Sequence, residues 1–534
     1  MALACDAGFR LMQKIDQLIH WPTSFLIIGY FAYWIELYVI KRPGGHCSPM
    51  AWLIVFVILF FLCQQLKKDS LTIKLLIDWW KQQDFITRAF VCCILLLSSI
   101  FLFVSAYAAL LPPHLPQEYD VRNYHITLPR QHLIIGSFAH LPWSSADLFL
   151  MPIDYALTPF WMATDLPNKI PQWFFVVGLL VISARLAMIF NRSNSFLAAF
   201  ACGGAVLAIH SVGIQSGTAM LDLVMAYLFL AALHSALNRC FWLAGIELAF
   251  YCWSKPFIPL QFILIIMVLL GVYLLIKRMG WSWLIVDDIK IRMPSMKAMC
   301  GWFILSSVIV AAPFMIKSFI YAGSPVFPFF VSIEARAEIY QAAQQFLDIK
   351  DSYGHGRSMV AFIQHWWLLA VPEQGVNNVF DYPLGLIYLL VVGPFLVLWF
   401  RSLRSKIFLI LPTFILIFWM TWWMTSQQSR FLFVPVILMV IVVVASMVNQ
   451  TRVLLIGIVV SLTLTTVSVV RAHKQDFGKW GVALLSNRDK ELAKSAAGGN
   501  MQDIKFIDAA YAPFPVRVIS DDRYFVIPKL TPMN

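Results

Sequence analysis

Apolar runs long enough to cross a bilayer recur from about residue 24 to about residue 470, and no other feature constrains the fold as strongly. In hydrocarbon, a stretch such as AFVCCILLLSSIFLFVSAYAALL (89–111) can satisfy its amides and carbonyls only within itself, so it must be helical. A membrane β-barrel would show short alternating segments, and these runs are continuous. Only 13% of the 534 residues are charged, about half the usual share of a soluble domain. The expected fold is an all-α polytopic bundle. About thirteen spans are predicted, near 24–40, 51–66, 89–111, 173–190, 195–210, 217–236, 240–254, 257–276, 300–320, 383–400, 407–424, 430–447 and 453–470.

Basic residues in the short connections set direction. Segment 67–88 carries Lys67, Lys68, Lys74, Lys81 and Arg88, and segment 277–299 carries Lys277, Arg278, Lys290, Arg292 and Lys297. RSLRSK (401–406) and Arg452 follow later spans. With a cytoplasmic N-terminus all four groups fall on the cytoplasmic side. Loops 112–172 and 321–382 and the tail 471–534 then lie outside. The net charge of +12 therefore reports orientation first. No basic tract interleaved with aromatics points to nucleic acid. The nine cysteines are scattered, with no CxxC and no zinc spacing, and read as small apolar packing residues. The N-terminal segment reads as an amphipathic cytoplasmic stretch rather than a cleaved signal.

Three domains are expected: 1–88 with the N-terminal segment and the first two spans, a bundle over 89–470, and an extracytoplasmic tail over 471–534. Within loop 112–172, LIIGSFAHLPW (133–143) and DLFLMPIDYALTPFWMA (147–163) read as amphipathic helices on the membrane surface. In the tail, VRVISDDRYFVIP alternates like a strand.

Chemistry concentrates in EYDVRNYHITLPRQH (118–132), just beyond a span. Asp120 is either a solvated loop carboxylate or, held at headgroup height, a general base for an incoming hydroxyl or amine. Asp154 sits in an apolar patch, where a charge is costly unless paired. It is either a partner of Arg122, Arg130 or Lys169, or a ligand to metal or substrate. Lys255, Lys317 and Arg430 lie near the outer ends of spans. Each alone is an interfacial anchor; together they would form an electropositive pocket for a lipid-linked phosphate. Asp222 borders this face, whereas Glu247 lies deeper and receives no role. His125, His355 and His365 lack metal spacing and read as hydrogen-bonding or packing residues. No ligand motif identifies a metal or cofactor. The tryptophan pairs at 366–367 and 422–423 belong first to the interfacial aromatic belts.

The run Asp120-x-x-x-Tyr124-His125, then Pro129 and Gly136, resembles the first extracytoplasmic loop of bacterial membrane glycosyltransferases of the GT-C superfamily. That group includes protein O-mannosyltransferases and the aminoarabinose transferases of lipid A. MPIDYAL resembles their P-x-x-E-x-L stretch, with Asp154 in place of Glu. PFMIKSFIYAGSPVFPFF resembles P-x-x-I-K-N-x-x-x-x-G-N-P-V-x-P, with Ser318 and Ser324 in place of Asn. GTAMLDLVMAYLFLAAL, DYPLGLIYLL and SQQSRFLFVPV resemble later spans. The matches run in order from about 89 to 440 and leave the first two spans outside.

The resemblance implies a sugar donor carried on a polyprenyl phosphate, in a bacterial cytoplasmic (inner) membrane. Asp120 would take the acceptor's proton as the acceptor attacks with inversion. Tyr124, His125 and Asp154 would bind substrate. Some of Lys255, Lys317 and Arg430 would stabilise the departing phosphate. A transporter, a lipid-linked-glycan flippase or polymerase, and a non-catalytic envelope scaffold are the alternatives.

Overall fold

The computed structural model describes residues 20–40, 70–110, 118, 120–142, 144–161, 169–191, 193–278, 293–349, 353–371, 380–402, 410–449 and 452–486. Among them there is no strand. The helices are α1 (Trp21–Ile35, continued by a π turn, Glu36–Ile40), α2 (Ser70–Gln82), α3 (Phe85–Leu110), α4 (Thr127–Ile135), α5 (Pro152–Trp161) and α6 (Ile170–Phe190). Next come α7 (Ser195–Leu207), α8 (His210–Gln215), α9 (Asp222–Leu237), α10 (Phe241–Cys252), α11 (Phe257–Arg278) and α12 (Met293–Ala322). The rest are α13 (Ala337–Ile349), α14 (Met359–Leu368), α15 (Leu386–Ser402), α16 (Ile410–Met424), α17 (Phe433–Met447) and α18 (Arg452–Ser486).

Among the described residues, six helical stretches are long and apolar enough to cross a membrane: Trp21–Ile40, Phe85–Leu110, Ile170–Phe190, Lys297–Ala322, Ser429–Met447 and Arg452–Lys474. Six further apolar helices are shorter. The six long stretches overlap six of the predicted spans; the six shorter apolar stretches overlap six more predicted segments but do not reach the length that crosses a membrane. The predicted span at 51–66 and the predicted strand in the tail lie outside the described residues. The last helix runs past 470 to Ser486.

α17 forms the axis of the bundle. It is buried from Phe433 to Ala445 and packs on α6, α7, α9, α15 and α16. Outer helices keep one face exposed and apolar, as at Leu96 and Phe103 on α3 and Ile304 and Val308 on α12.

The loop between α3 and α6 departs from expectation. Helix α4 stops at Gly136, whose φ of +70° gives the left-handed C-terminal cap that glycine adopts without strain. No helix covers 136–142. α5 does not lie on the membrane surface, because all ten of its residues are buried. Its cover is α1. Gly29 brings the α1 backbone against the Ala156 carbonyl and the Phe160 ring, and Phe25 stacks on Phe160 at 3.6 Å. Tyr33 Oη donates to the Pro129 carbonyl at 2.9 Å. The first span, expected as an addition, therefore packs into the core. A Cβ at position 29 would overlap Ala156 O. Gly29→Val is expected to cost about 1–3 kcal/mol through overpacking, read as a lower unfolding temperature in detergent.

Glu247 helps fix the other end of α1. Its Oε1 accepts from His20 Nδ1 (2.7 Å) and Thr23 Oγ1 (2.8 Å), and its Oε2 from Ser235 Oγ (2.8 Å). A buried carboxylate with three donors is satisfied, which accounts for its position without a catalytic role.

Candidate functional site

Ion pairs gather the ends of several helices at one end of the bundle. Asp120 begins the π turn Val121–His125 that leads into α4. Its Oδ2 accepts from Arg430 Nη1 at 3.1 Å, 310 residues away. Arg430 lies in a 3-10 turn, Ser429–Leu432, just before α17. Its Nε is 2.9 Å from Asp381 Oδ2. Asp381 sits just before α15 with φ +80°, a left-handed conformation uncommon for a residue with a side chain. Three bonds hold it there: Ser429 N donates to Phe380 O (2.7 Å), Tyr382 N to Ser429 Oγ (3.1 Å), and Ser429 Oγ to Tyr382 O (2.5 Å). Arg430 thus ties together two carboxylates from distant segments.

Lys255 follows α10 and reaches Asp222 Oδ1, at the start of α9, at 2.5 Å. Its Nζ lies 4.5 Å from the centre of the Phe431 ring, beside Arg430. His125 Nδ1 donates to Asp154 Oδ1 at 2.9 Å. Asp154 therefore pairs with a histidine; of its expected partners, Lys169 lies 3.2 Å from Glu118 Oε1, and the Arg122 side chain lies outside the described residues. Among the described residues, Asp154 Oδ2, His125 Nε2 and Asp222 Oδ2 are buried without a hydrogen-bond partner. Tyr124 is half-buried, with its ring 6.1 Å from that of Phe149.

Exposure separates the carboxylates. The Asp120 side chain is 25% exposed, against 0% for Asp154 and 2% for Asp222. Asp381 is 19% exposed, so Asp120 and Asp381 are the carboxylates of this cluster that an incoming group reaches. Burial pushes the Asp120 carboxyl up, but Arg430, His125 and Lys255 outweigh it and hold the group below the usual carboxylate range. Burial pushes Asp154 up, with His125 opposing. Burial also raises Asp381 against the pull of Arg430. Neighbouring carboxylates pushed apart in this way divide into one that stays ionised and one that protonates more easily.

Lys317 does not join this group. Near the C-terminal end of α12, its Nζ is 2.9 Å from Asp147 Oδ1, 3.3 Å from His132 Nε2 and 4.0 Å from the centre of the Phe138 ring. Asp147 also accepts from His132 Nε2 (2.7 Å) and Leu141 N (2.8 Å), and His140 Nδ1 lies 3.3 Å away. The expected three-cation pocket therefore becomes two cations, Arg430 and Lys255, with Lys317 committed to a buried cluster. The cause is local. α12 packs on the 3-10 turn Ser145–Leu148, which presents Asp147.

Sequence reasoning missed Asp381, Asp147 and His132. Asp381 had one available signal, an acid directly before a predicted span. No spacing rule links His132 to Asp147, 15 residues on. Among the described residues, no group of three or more His, Cys, Asp or Glu side chains is arranged to hold a metal ion. In comparisons with known proteins, no family model, no curated protein and no solved structure matches the chain.

Proposed function

We propose that the protein is a membrane glycosyltransferase that moves a sugar from a polyprenyl phosphate to an acceptor hydroxyl. The observation that carries this reading is the partly exposed Asp120 carboxylate, held ionised against Arg430 with Lys255 close by. The motif order resembling GT-C transferases supports it. In this reading the chain has about thirteen spans, a cytoplasmic N-terminus and the site at the outer face of a bacterial cytoplasmic membrane.

The acceptor O–H approaches the anomeric carbon opposite the phosphate. As the new C–O bond forms, the bond from that carbon to the phosphate oxygen breaks, and its electron pair leaves with polyprenyl phosphate. Asp120 receives the acceptor's proton. Arg430 and Lys255 stabilise the charge that develops on the phosphate. Both cations are already paired with carboxylates, so the phosphate shares them with Asp120, Asp381 and Asp222. The unpartnered atoms of His125 and Asp154 supply a donor-or-acceptor edge for sugar hydroxyls.

The test is release of free polyprenyl phosphate from a panel of polyprenyl-phosphate sugars by protein reconstituted in lipid. Release dependent on an acceptor supports transfer. Movement of a donor across the vesicle without cleavage would establish a flippase instead. Lys255→Ala and Arg430→Ala are each expected to lower kcat/KM for the donor by about 10- to 100-fold, the worth of one charge-assisted hydrogen bond. Unchanged donor use in both would remove the phosphate clamp. Arg430→Gln has a further consequence in pH. Arg430 lowers the Asp120 pKa, so its loss raises it. The acid limb of the kcat/KM profile, below the usual carboxylate range in wild type, is then expected to move to higher pH.

A further inference from the structure

Helix α14 belongs to the second loop expected outside the membrane, 321–382, yet it is not placed like a loop element. Phe362 meets Trp423 edge-on at 5.1 Å between ring centres, and Trp366 stacks on Trp419 at 4.7 Å and 5°. Trp419 Nε1 donates to His365 Nε2 at 2.8 Å. These partners lie in the last two turns of α16, so α14 lies beside the end of that apolar helix rather than beyond it. The contacts run in opposite chain directions, 362 to 423 and then 366 to 419.

Both ends of α14 are fastened. At its start, Ser358 Oγ caps the helix by accepting from Ala361 N at 3.1 Å. Just before it, Arg357 Nε donates to Met424 O at 3.2 Å and Nη2 to Thr425 O at 2.5 Å, filling carbonyls at the end of α16. Past its last residue, Leu369 O accepts from Leu384 N at 2.6 Å.

The opposite face is bare and apolar. Met359, Val360, Ile363 and Trp367 are 74, 62, 69 and 60% exposed. Their spacing puts them on one stripe, opposite Ala361, His365 and Leu369. No residue of MVAFIQHWWL is charged, and Gln364 borders the stripe. On α16 itself, Met420 and Met424 are likewise apolar and exposed. A water-facing helix of an outer loop would carry charge on such a face. An uncharged apolar face on a helix packed against the end of apolar α16 meets the surroundings of that helix.

We propose that α14 is an intramembrane anchor, with its Met359, Val360, Ile363 and Trp367 face embedded in the acyl chains of the leaflet nearest the site. The occupant of the stripe is lipid hydrocarbon. Through Leu369 and Leu384 the anchor also fixes the segment that carries Asp381, so the bilayer itself steadies one of Arg430's two carboxylates. This goes beyond the proposed transferase, since it holds whether or not sugar is transferred.

The test places a photoreactive p-benzoylphenylalanine at Ile363 or at Trp367 in the full-length protein, reconstituted in dioleoyl-phosphatidylcholine vesicles. Met420 serves as the lipid-facing control and exposed Glu338 of α13 as the comparison. After irradiation, intact-mass measurement is expected to show the added mass of one lipid molecule at 363 and 367, at a yield comparable to that at 420 and well above that at 338. A crosslinked dimer from 363 and 367 would assign the stripe to a second copy and overturn the proposal. Absence of lipid adduct at both positions, with adduct present at 420, would place the stripe in water and overturn it equally.

Discussion

Asp120→Asn is expected to lower turnover of a polyprenyl-phosphate sugar by about 100- to 10,000-fold, the contribution of a positioned general base. The substitution keeps the shape and an oxygen that can still accept from Arg430, so the fold is retained. It removes the negative charge and the ability to take a proton. The loss should therefore appear in kcat, with the donor still bound. Unfolding temperatures of the two proteins should agree closely, because the carboxylate is partly exposed and its pairing contributes less than that of a buried ion pair. Equal turnover by the two proteins would remove Asp120 as the base and turn attention to Asp154. Burial raises the affinity of Asp154 for a proton, and its Oδ2 is unpartnered.

The second large effect falls on stability. Asp147 and Lys317 form an ion pair in which the two side chains are 0% and 3% exposed. Removing one member takes the ion-pair partner from a buried charge, at a cost of about 3–5 kcal/mol when no other group compensates and less where His132 and Leu141 N still donate to Asp147. Lys317→Ala and Asp147→Asn are each expected to unfold at clearly lower temperature in detergent. Replacing both with apolar residues of similar volume should recover most of the loss. Burial raises the Asp147 carboxyl, but Lys317, His132 and His140 outweigh it and hold it well below the usual range. A depressed folded-state pKa contributes stability above the unfolded carboxylate value and loses it as pH falls through the folded value. Wild type should therefore lose this contribution progressively as pH falls from the ordinary carboxylate range towards the depressed folded value, whereas Asp147→Asn lacks it at every pH. The donor separates this reading from the clamp expected from sequence. If Lys317 serves only this cluster, the folded fraction of Lys317→Ala keeps the wild-type KM for the donor. A raised KM at full folding would return Lys317 to the phosphate.

Much of the fold was legible because a bilayer leaves a spanning segment few options. A long apolar run must satisfy its own backbone, so its position in sequence almost fixes its structure. The meeting of Asp120 with Lys255 and Arg430 was partly legible as well, since loop charges placed all three at one face. Which acid each cation takes was not. Asp222 and Asp381 lie far from their partners in sequence, and either cation could in principle have met Asp120. Lys317 misled for a related reason. Its partner Asp147 was hidden in a stretch read only for its apolar content. The burial of α5 was illegible because a ten-residue apolar helix has the same composition on a membrane surface as in a core. A single glycine in another helix decided the matter. The half-buried helix in the second loop escaped for a similar reason. At ten residues it is too short to register as a span.

The seam between α1 and α5 also bears on biogenesis. Gly29 has no side chain of its own to fill the space against Ala156, so that face of α1 is matched only by α5. During synthesis α1 leaves the ribosome first, yet its counterpart follows only after the stretch bearing Asp120 has been translated. Until then α1 must wait in the membrane with an unfilled groove, open to the insertion machinery or to neighbouring chains. Docking of α5 closes the groove and at the same stroke seats the carboxylate that pairs with His125. Assembly of the site comes later still, because Lys255, Asp381 and Arg430 follow α5 in the chain. A nascent chain halted before residue 152 would be membrane-bound and still lack a formed centre.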